Sequence, residues 1–232
     1  MFNGFGDKTF EFFMAIRFNN NREFFHNNHD WYMDYVRKPL LELAFELSDT
    51  IEMLDDTLER RPEKVLSRIN RDLRFSKDKS PYRDWLWLAY RCDGEDKHRY
   101  PGFYVDISDG GMGMGLGFYE DNKPLTDALR TIIANDPSGV RAALDAADSS
   151  FTLNARTYKK LTVPQNATEY GLQDWYKMKS FYVSATINDF ELMRSSALID
   201  FIKRGLLSLK PIYEVFKKAE AGMSRTALNG ES

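Results

Sequence analysis

The sequence predicts an α+β protein: a single domain over residues 1–221 with an antiparallel sheet of about five to six strands, packed by N-terminal and C-terminal helices. Three observations lead there. The first quarter of the chain repeats its apolar residues at helical spacing, the middle carries short aromatic and β-branched runs separated by turn residues, and the last part returns to a long helical pattern.

Asp7 stands where it can cap a first helix whose Phe10, Phe13 and Met14 share a face. Asn19-Asn20-Asn21 interrupts that run, and Asn20 with Glu23 has capping-box spacing, so a second helix is predicted to start there. Its stripe is Phe24, Phe25, Asn28, Trp31, Tyr32, Tyr35 and Val36. Pro39, with no amide hydrogen, predicts either a kink or a new helix, and Leu40, Leu43, Ala44, Leu47, Ile51 and Leu54 continue a helical face.

From Val65 to Arg71 the pattern is ambiguous for a strand; Trp85 to Tyr90 is a clear one, closed by Asp93-Gly94. Phe103–Ile107 and Met112–Tyr119 flank Ser108-Asp109-Gly110-Gly111 and predict a hairpin. Leu125–Ala134 and Gly139–Ala147 read as short helices, Phe151–Leu153 and Phe181–Ile187 as strands, and Ser195–Ala219 as a long helix bent at Gly205 or Pro211. No repeat or linker-like tract divides the chain.

A hydrophobic content of 43% with 14% aromatics is ample for a packed core, so disorder is expected only in residues 222–232, where periodicity is lost. The lone cysteine, Cys92, excludes an intrachain disulfide. The N-terminus lacks a signal-peptide pattern, and no apolar run approaches the roughly 20 residues that span a bilayer. A soluble, reduced, cytoplasmic protein is the expectation, with no membrane association.

Charge is unevenly placed. Arg60 to Arg91 holds ten Lys/Arg and four Asp/Glu, a local +6 in a chain of −3, which leaves −9 for the remainder. A cationic island in an acidic molecule suits a small anion, and a pI near 5.7 argues against general nucleic-acid affinity. In an extended segment Arg68, Asn70, Asp72 and Arg74 point one way and Ile69, Arg71, Leu73 and Phe75 the other. Arg71, on the apolar side, needs a partner; Asp72, Asp78, Asp84 and Glu23 are the candidates.

The string from Arg68 to Arg83, Arg-Ile-Asn-Arg-Asp-Leu-Arg-Phe-Ser-Lys-Asp-Lys-Ser-Pro-Tyr-Arg, closely resembles the signature of the family called domain of unknown function 2461. Asn20-Asn21-Arg22-Glu23-Phe24-Phe25, Pro101-Gly102-Phe103-Tyr104-Val105 and Lys177-Met178-Lys179-Ser180-Phe181 resemble three further blocks of that family in the expected order, over roughly Phe5 to Phe216. His26 and His29 depart from it. The resemblance implies a single-domain cytoplasmic protein of bacteria or fungi, and no substrate, cofactor or catalytic residue.

The anion-site candidates are Arg68, Arg71, Arg74, Ser76, Lys77, Lys79 and Arg83, supported by Glu23, Asp72, Asp78 and Tyr82. Guanidinium forks, ammonium groups and a hydroxyl there suit a phosphate or carboxylate. The competing reading is an internal ion-pair network that holds a loop, with the lysines solvated. Gly111, Gly113, Gly115 and Gly117 alternate strictly, which leaves one strand side bare for a ligand or, the favoured reading, for a tightly packed helix or aromatic ring. A dinucleotide fingerprint fails at Leu116.

Other motifs carry less. His26 and His29, with Asp30, lack further ligands beyond the distant His98 and Cys92, so no metal is expected. Ser76-x-x-Lys79 lacks the companion motifs of acyl enzymes. Cys92 reads as a small residue at a strand end, and Tyr82, Trp85, Trp87, Tyr100 and Tyr104 either stack a base or belong to the core.

Three functions remain open. One is binding of a small anionic ligand, another a protein-interaction module that docks an acidic partner, and the third a hydrolase or transferase with Asp72, Asp78 or Glu23 as base. Carboxylates among so many cations have depressed pKa values, which makes them poor bases near neutral pH. Neither a cofactor nor an oligomeric state is readable.

Overall fold

A computed structural model of the chain describes residues 1–74, 77–92, 94 and 97–229, without the side chains of Lys97 and 224–229. Ser76 and residues 230–232 lie outside the described residues. The chain divides into two compact units. One comprises Met1–Cys92, Tyr104–Met114 and Thr186–Arg204, and the other Asp93–Phe103, Gly115–Ala185 and Gly205–Ser232.

In the first unit, α1 (Asp7–Phe18) buries Thr9, Phe12, Phe13 and Ile16, a stripe of i, i+3, i+4 and i+7 spacing. That stripe puts Met14 on the far side, where it is 52% exposed, contrary to the expected face. Asp7 does not cap the helix; Gly6 does, without a side-chain bond, and Asp7 accepts from Arg194 Nε at 2.7 Å. The next helix, α2 (Arg22–Asn27), is capped by Asn21 rather than Asn20, through a bond from Phe24 N–H at 2.8 Å.

After α3 (His29–Tyr32) the helix widens into a π-helical turn, Met33–Arg37, then continues as α4 (Lys38–Leu54). Pro39 is the cause. Its ring cannot serve the carbonyl four residues back, that of Tyr35. The buried Thr9 hydroxyl donates to that carbonyl at 2.5 Å. The apolar stripe expected for α4, from Leu40 to Leu54, is buried.

After α5 (Pro62–Val65), residues 66–71 are extended but do not form a continuous strand. They meet 81–88 through the bridges Leu66↔Leu88 and Asn70↔Tyr82. Arg71 N–H donates to the Pro81 carbonyl at 2.9 Å and Arg83 N–H to the Ile69 carbonyl at 2.8 Å. The expected alternation holds here: Ile69 is buried while Arg68 and Asn70 are exposed.

Among the described residues the sheet has five antiparallel strands: β1 (Trp85–Tyr90), β2 (Gly102–Ser108), β3 (Gly111–Phe118), β4 (Thr152–Thr157) and β5 (Met178–Ile187). Their order is β1-β2-β3-β5-β4, and the fold is α+β. The hairpin turn between β2 and β3 ends on Gly111, whose φ of +127° favours glycine.

In the second unit, α6 (Lys123–Asn135) and α7 (Pro137–Asp145) fall where the sequence places helices. Two short helices between β4 and β5, Gln165–Glu169 and Gln173–Lys177, were not expected. Phe181 stacks on Phe216 at 4.6 Å and receives the edge of Phe118 at 5.4 Å. The long C-terminal helix is two helices, Ala197–Ser208 and Lys210–Asn229, because Pro211 fits only the first turn of the second.

The alternating glycines of β3 make room for close neighbours. A Cβ at Gly117 would lie 2.6 Å from Tyr182 Cδ1 and 2.8 Å from its Cα, and closer still to the Phe181 carbonyl. At Gly113 it would lie 2.8 Å from the Asp106 carboxylate, which accepts from the Gly113 N–H. Packing of an aromatic residue therefore accounts for one glycine and a carboxylate for another.

Replacing Gly117 by Ala is expected to cost about 1–3 kcal/mol in urea unfolding, through overpacking. Gly222→Ala, with open space around it in a helix, is the neutral or mildly stabilising control. Equal midpoints for the two variants would refute this account.

Burial pushes the Asp106 carboxyl up to about 6 from an ordinary 3.8, against the opposing bond from Gly113. The unfolded chain then loses this proton first, so the group costs stability as pH rises from about 4 through 6, and the loss is complete above that. Asp106→Asn removes the slope, so between pH 4 and 7.5 the wild type should lose on the order of 2–3 kcal/mol relative to the variant. Parallel stability profiles would contradict the shift.

Candidate functional site

The island is built on a short ribbon formed by residues 66–71 and 81–88. Asn20 clamps it from the N-terminal block. Its side-chain amide donates to the Tyr82 carbonyl at 3.0 Å, and its side-chain oxygen accepts from Tyr82 N–H at 2.9 Å. This tertiary use of Asn20 leaves capping to Asn21. Phe25 stacks on Tyr82 at 4.2 Å, so two of the sequence blocks meet in one packed unit.

Arg71 leaves the ribbon toward two acids. It donates to Asp78 and, at 3.0 Å, to Asp84. Asp84 also accepts from Arg17 Nε at 3.1 Å, and Arg17 pairs at 2.7 Å with Asp109 in the β2–β3 turn. Asp78, Arg71, Asp84, Arg17 and Asp109 thus form a ladder of alternating charge. Glu23, a candidate partner for Arg71, makes no ion pair among the described residues.

The loop between the ribbon's arms is held locally. Arg74 pairs with Asp72 at 2.6 Å, and the Arg74 side-chain bond brings the Asp72 carboxyl down to about 2. Ser80, above all, and Arg71 lower that of Asp78. Lys79 Nζ donates to the Leu73 carbonyl at 3.0 Å, and Lys77 is exposed. These acids are ionised well below neutral pH, which suits them to hold cations and not to take protons.

Beside the ribbon lies an open groove of about 810 Å³. Arg68, Arg71, Arg74 and Arg83 line it together with Asp72; Lys77, Lys79, Glu23, Asp78 and Tyr82 do not. The sequence missed Arg37, Tyr32 and Met33, which the π-helical turn and the end of α3 bring to the same groove. Pro39 signals that distortion, but nothing local says which groove it faces.

The guanidiniums differ in their partners. Arg37 pairs with Glu63, Arg74 with Asp72, and Arg71 with two aspartates. Arg83 donates from Nε to the Arg68 carbonyl at 3.2 Å and lies over the Trp87 ring at 4.7 Å. Burial and the nearby Arg71 lower its pKa. Among the described residues, no carboxylate pairs with Arg68 or Arg83.

His29 lines the groove, but no three His, Cys, Asp or Glu side chains gather as metal ligands among the described residues. Cys92 lies 3.5 Å from the Thr57 hydroxyl at an isolated bridge with Leu58. No helix among the described residues is long and apolar enough to cross a membrane.

Arg71→Gln removes the central cation of the ladder, a side chain only 23% exposed, and leaves Asp84 to Arg17 and Asp78 to Ser80; it should cost about 1–3 kcal/mol in urea unfolding. Arg74→Gln breaks a pair whose side chains are 78% and 53% exposed, and should cost under about 1 kcal/mol. Losses of the same size would remove the distinction between ladder and loop.

A search among curated proteins finds no match. The model of the family described as conserved hypothetical protein (DUF2461) matches residues 8–214, a span that contains the ribbon, the ladder and every residue lining the groove. The chain belongs to that family.

Proposed function

We propose that this protein binds a small anionic ligand, through a phosphate or carboxylate, in the groove beside the ribbon. One observation carries the reading: Arg68 and Arg83 face the groove without a carboxylate partner, while Arg37, Arg71 and Arg74 each have one. Guanidiniums that line one groove without a carboxylate offer the planar donor forks that an oxyanion accepts. Arg71 and Arg74, each neutralised by its own aspartates, add donors rather than net charge, and Lys77 and Lys79 take no direct part.

Binding, not hydrolysis or group transfer, is the role proposed, since the depressed carboxyl of Asp72 is a poor base. The setting proposed is the cytoplasm, where a free cysteine such as Cys92 stays reduced.

The test is thermal unfolding against a panel of phosphates and carboxylates. At ten times Kd, a ligand adds about 1.4 kcal/mol of stability. For a chain of this size that raises Tm by roughly 2–4 °C. Arg68→Gln/Arg83→Gln should lose the ligand-induced shift, Lys77→Gln should keep it, and added salt should weaken it. A flat response of the wild type across the panel refutes the reading.

A further inference from the structure

The groove is much larger than a bare oxyanion needs. Its volume of about 810 Å³ falls among pockets that enclose drug-sized organic molecules, roughly 300–1,000 Å³. Much of its lining is apolar: Phe25, Tyr32, Met33, Leu66, Ile69 and Trp87. Such walls gain from covering an apolar surface and add nothing to the hold on phosphate alone.

A second observation is independent of the charges. Tyr32, mostly buried at 5% exposure, lines the groove, and its hydroxyl has no hydrogen-bond partner among the described residues. Burial raises its pKa, and the charges acting on it are Arg37 and Glu63, both of which also line the groove. That hydroxyl, unlike the hydroxyl of Tyr90, is not shut away from solvent, so it is open to a partner in the groove. A ligand in the groove would supply the missing partner.

The planar groups suggest what kind of body fits. Phe25, Tyr32 and Trp87 set three aromatic side chains along the groove, with the Arg83 guanidinium 4.7 Å over the Trp87 ring. Flat apolar surface of this kind is best matched by an aromatic ring.

We infer that the ligand is an organic oxyanion with an aromatic body: its phosphate or carboxylate meets Arg68 and Arg83, its ring lies along the apolar wall, and the Tyr32 hydroxyl bonds to it. This rests on the proposed anion site and adds the class of molecule that fills it.

The experiment is calorimetric titration of the full chain with two matched pairs, phenyl phosphate against methyl phosphate and benzoate against acetate. Each pair keeps the head and changes the body. At least one aromatic member should bind tenfold or more tightly than its methyl counterpart, and the better of the two heads identifies the oxyanion. Tyr32→Phe should weaken that aromatic ligand threefold or more with no fall in Tm, because no protein partner is lost.

Equal affinities within both pairs, abolished by Arg68→Gln/Arg83→Gln, would overturn the aromatic body and leave the anion site standing. Binding of the aromatic ligand that survives Arg68→Gln/Arg83→Gln, or an unchanged affinity in Tyr32→Phe, would overturn the arrangement inferred here. No heat with any of the four would overturn both readings.

Discussion

The ladder Asp78–Arg71–Asp84–Arg17–Asp109 is the interaction on which the site depends. A partly buried guanidinium is tolerated only when it is neutralised, as Arg71 is through its terminal nitrogens while its buried Nε has no partner among the described residues. Three carboxylates hold two arginines here, so the ladder consumes the central charge of the island and leaves one acid in surplus. It also joins segments far apart in sequence: α1 through Arg17, the ribbon through Arg71 and Asp84, and the hairpin turn through Asp109. The positive charge that remains for a ligand is what the ladder does not absorb.

A second constraint comes from Pro39. By denying the Tyr35 carbonyl its helical donor, it widens the helix just where Tyr32, Met33 and Arg37 face the groove. The Thr9 hydroxyl satisfies the stranded carbonyl and ties α1 to this irregular turn. A straight helix would place these three residues with ordinary spacing of about 100° per residue, and the groove's wall would differ.

Much of this was legible in the sequence. The stripe of α4, the strand Trp85–Tyr90, the hairpin and the alternation of Arg68, Ile69 and Asn70 all follow from periodicity and turn chemistry. What was not legible depends on distant partners. Asn20 and Asn21 are equivalent as caps, and the choice is made by Tyr82, 62 residues away. Four acids stood as partners for Arg71, and sequence spacing does not separate Asp78 and Asp84 from Glu23. Arg17 and Asp109 carry no local mark of joining them.

The groove's arginines therefore form a graded set and not a uniform positive surface. Arg71 is locked by two acids, and its release would leave Asp84 to Arg17 alone and Asp78 to Ser80. Arg74 is held by an exposed neighbour two residues away, an exchangeable bond that an incoming oxyanion competes for at small cost. Arg68 and Arg83 have no carboxylate to release, although Arg83 Nε is bonded to the Arg68 carbonyl. An anion is thus met first by two guanidiniums without a carboxylate and then by one whose carboxylate yields, with little surplus charge behind them. With so little long-range attraction in an acidic chain, the discrimination between ligands falls to the apolar wall and the Tyr32 hydroxyl, which respond to shape and not to charge.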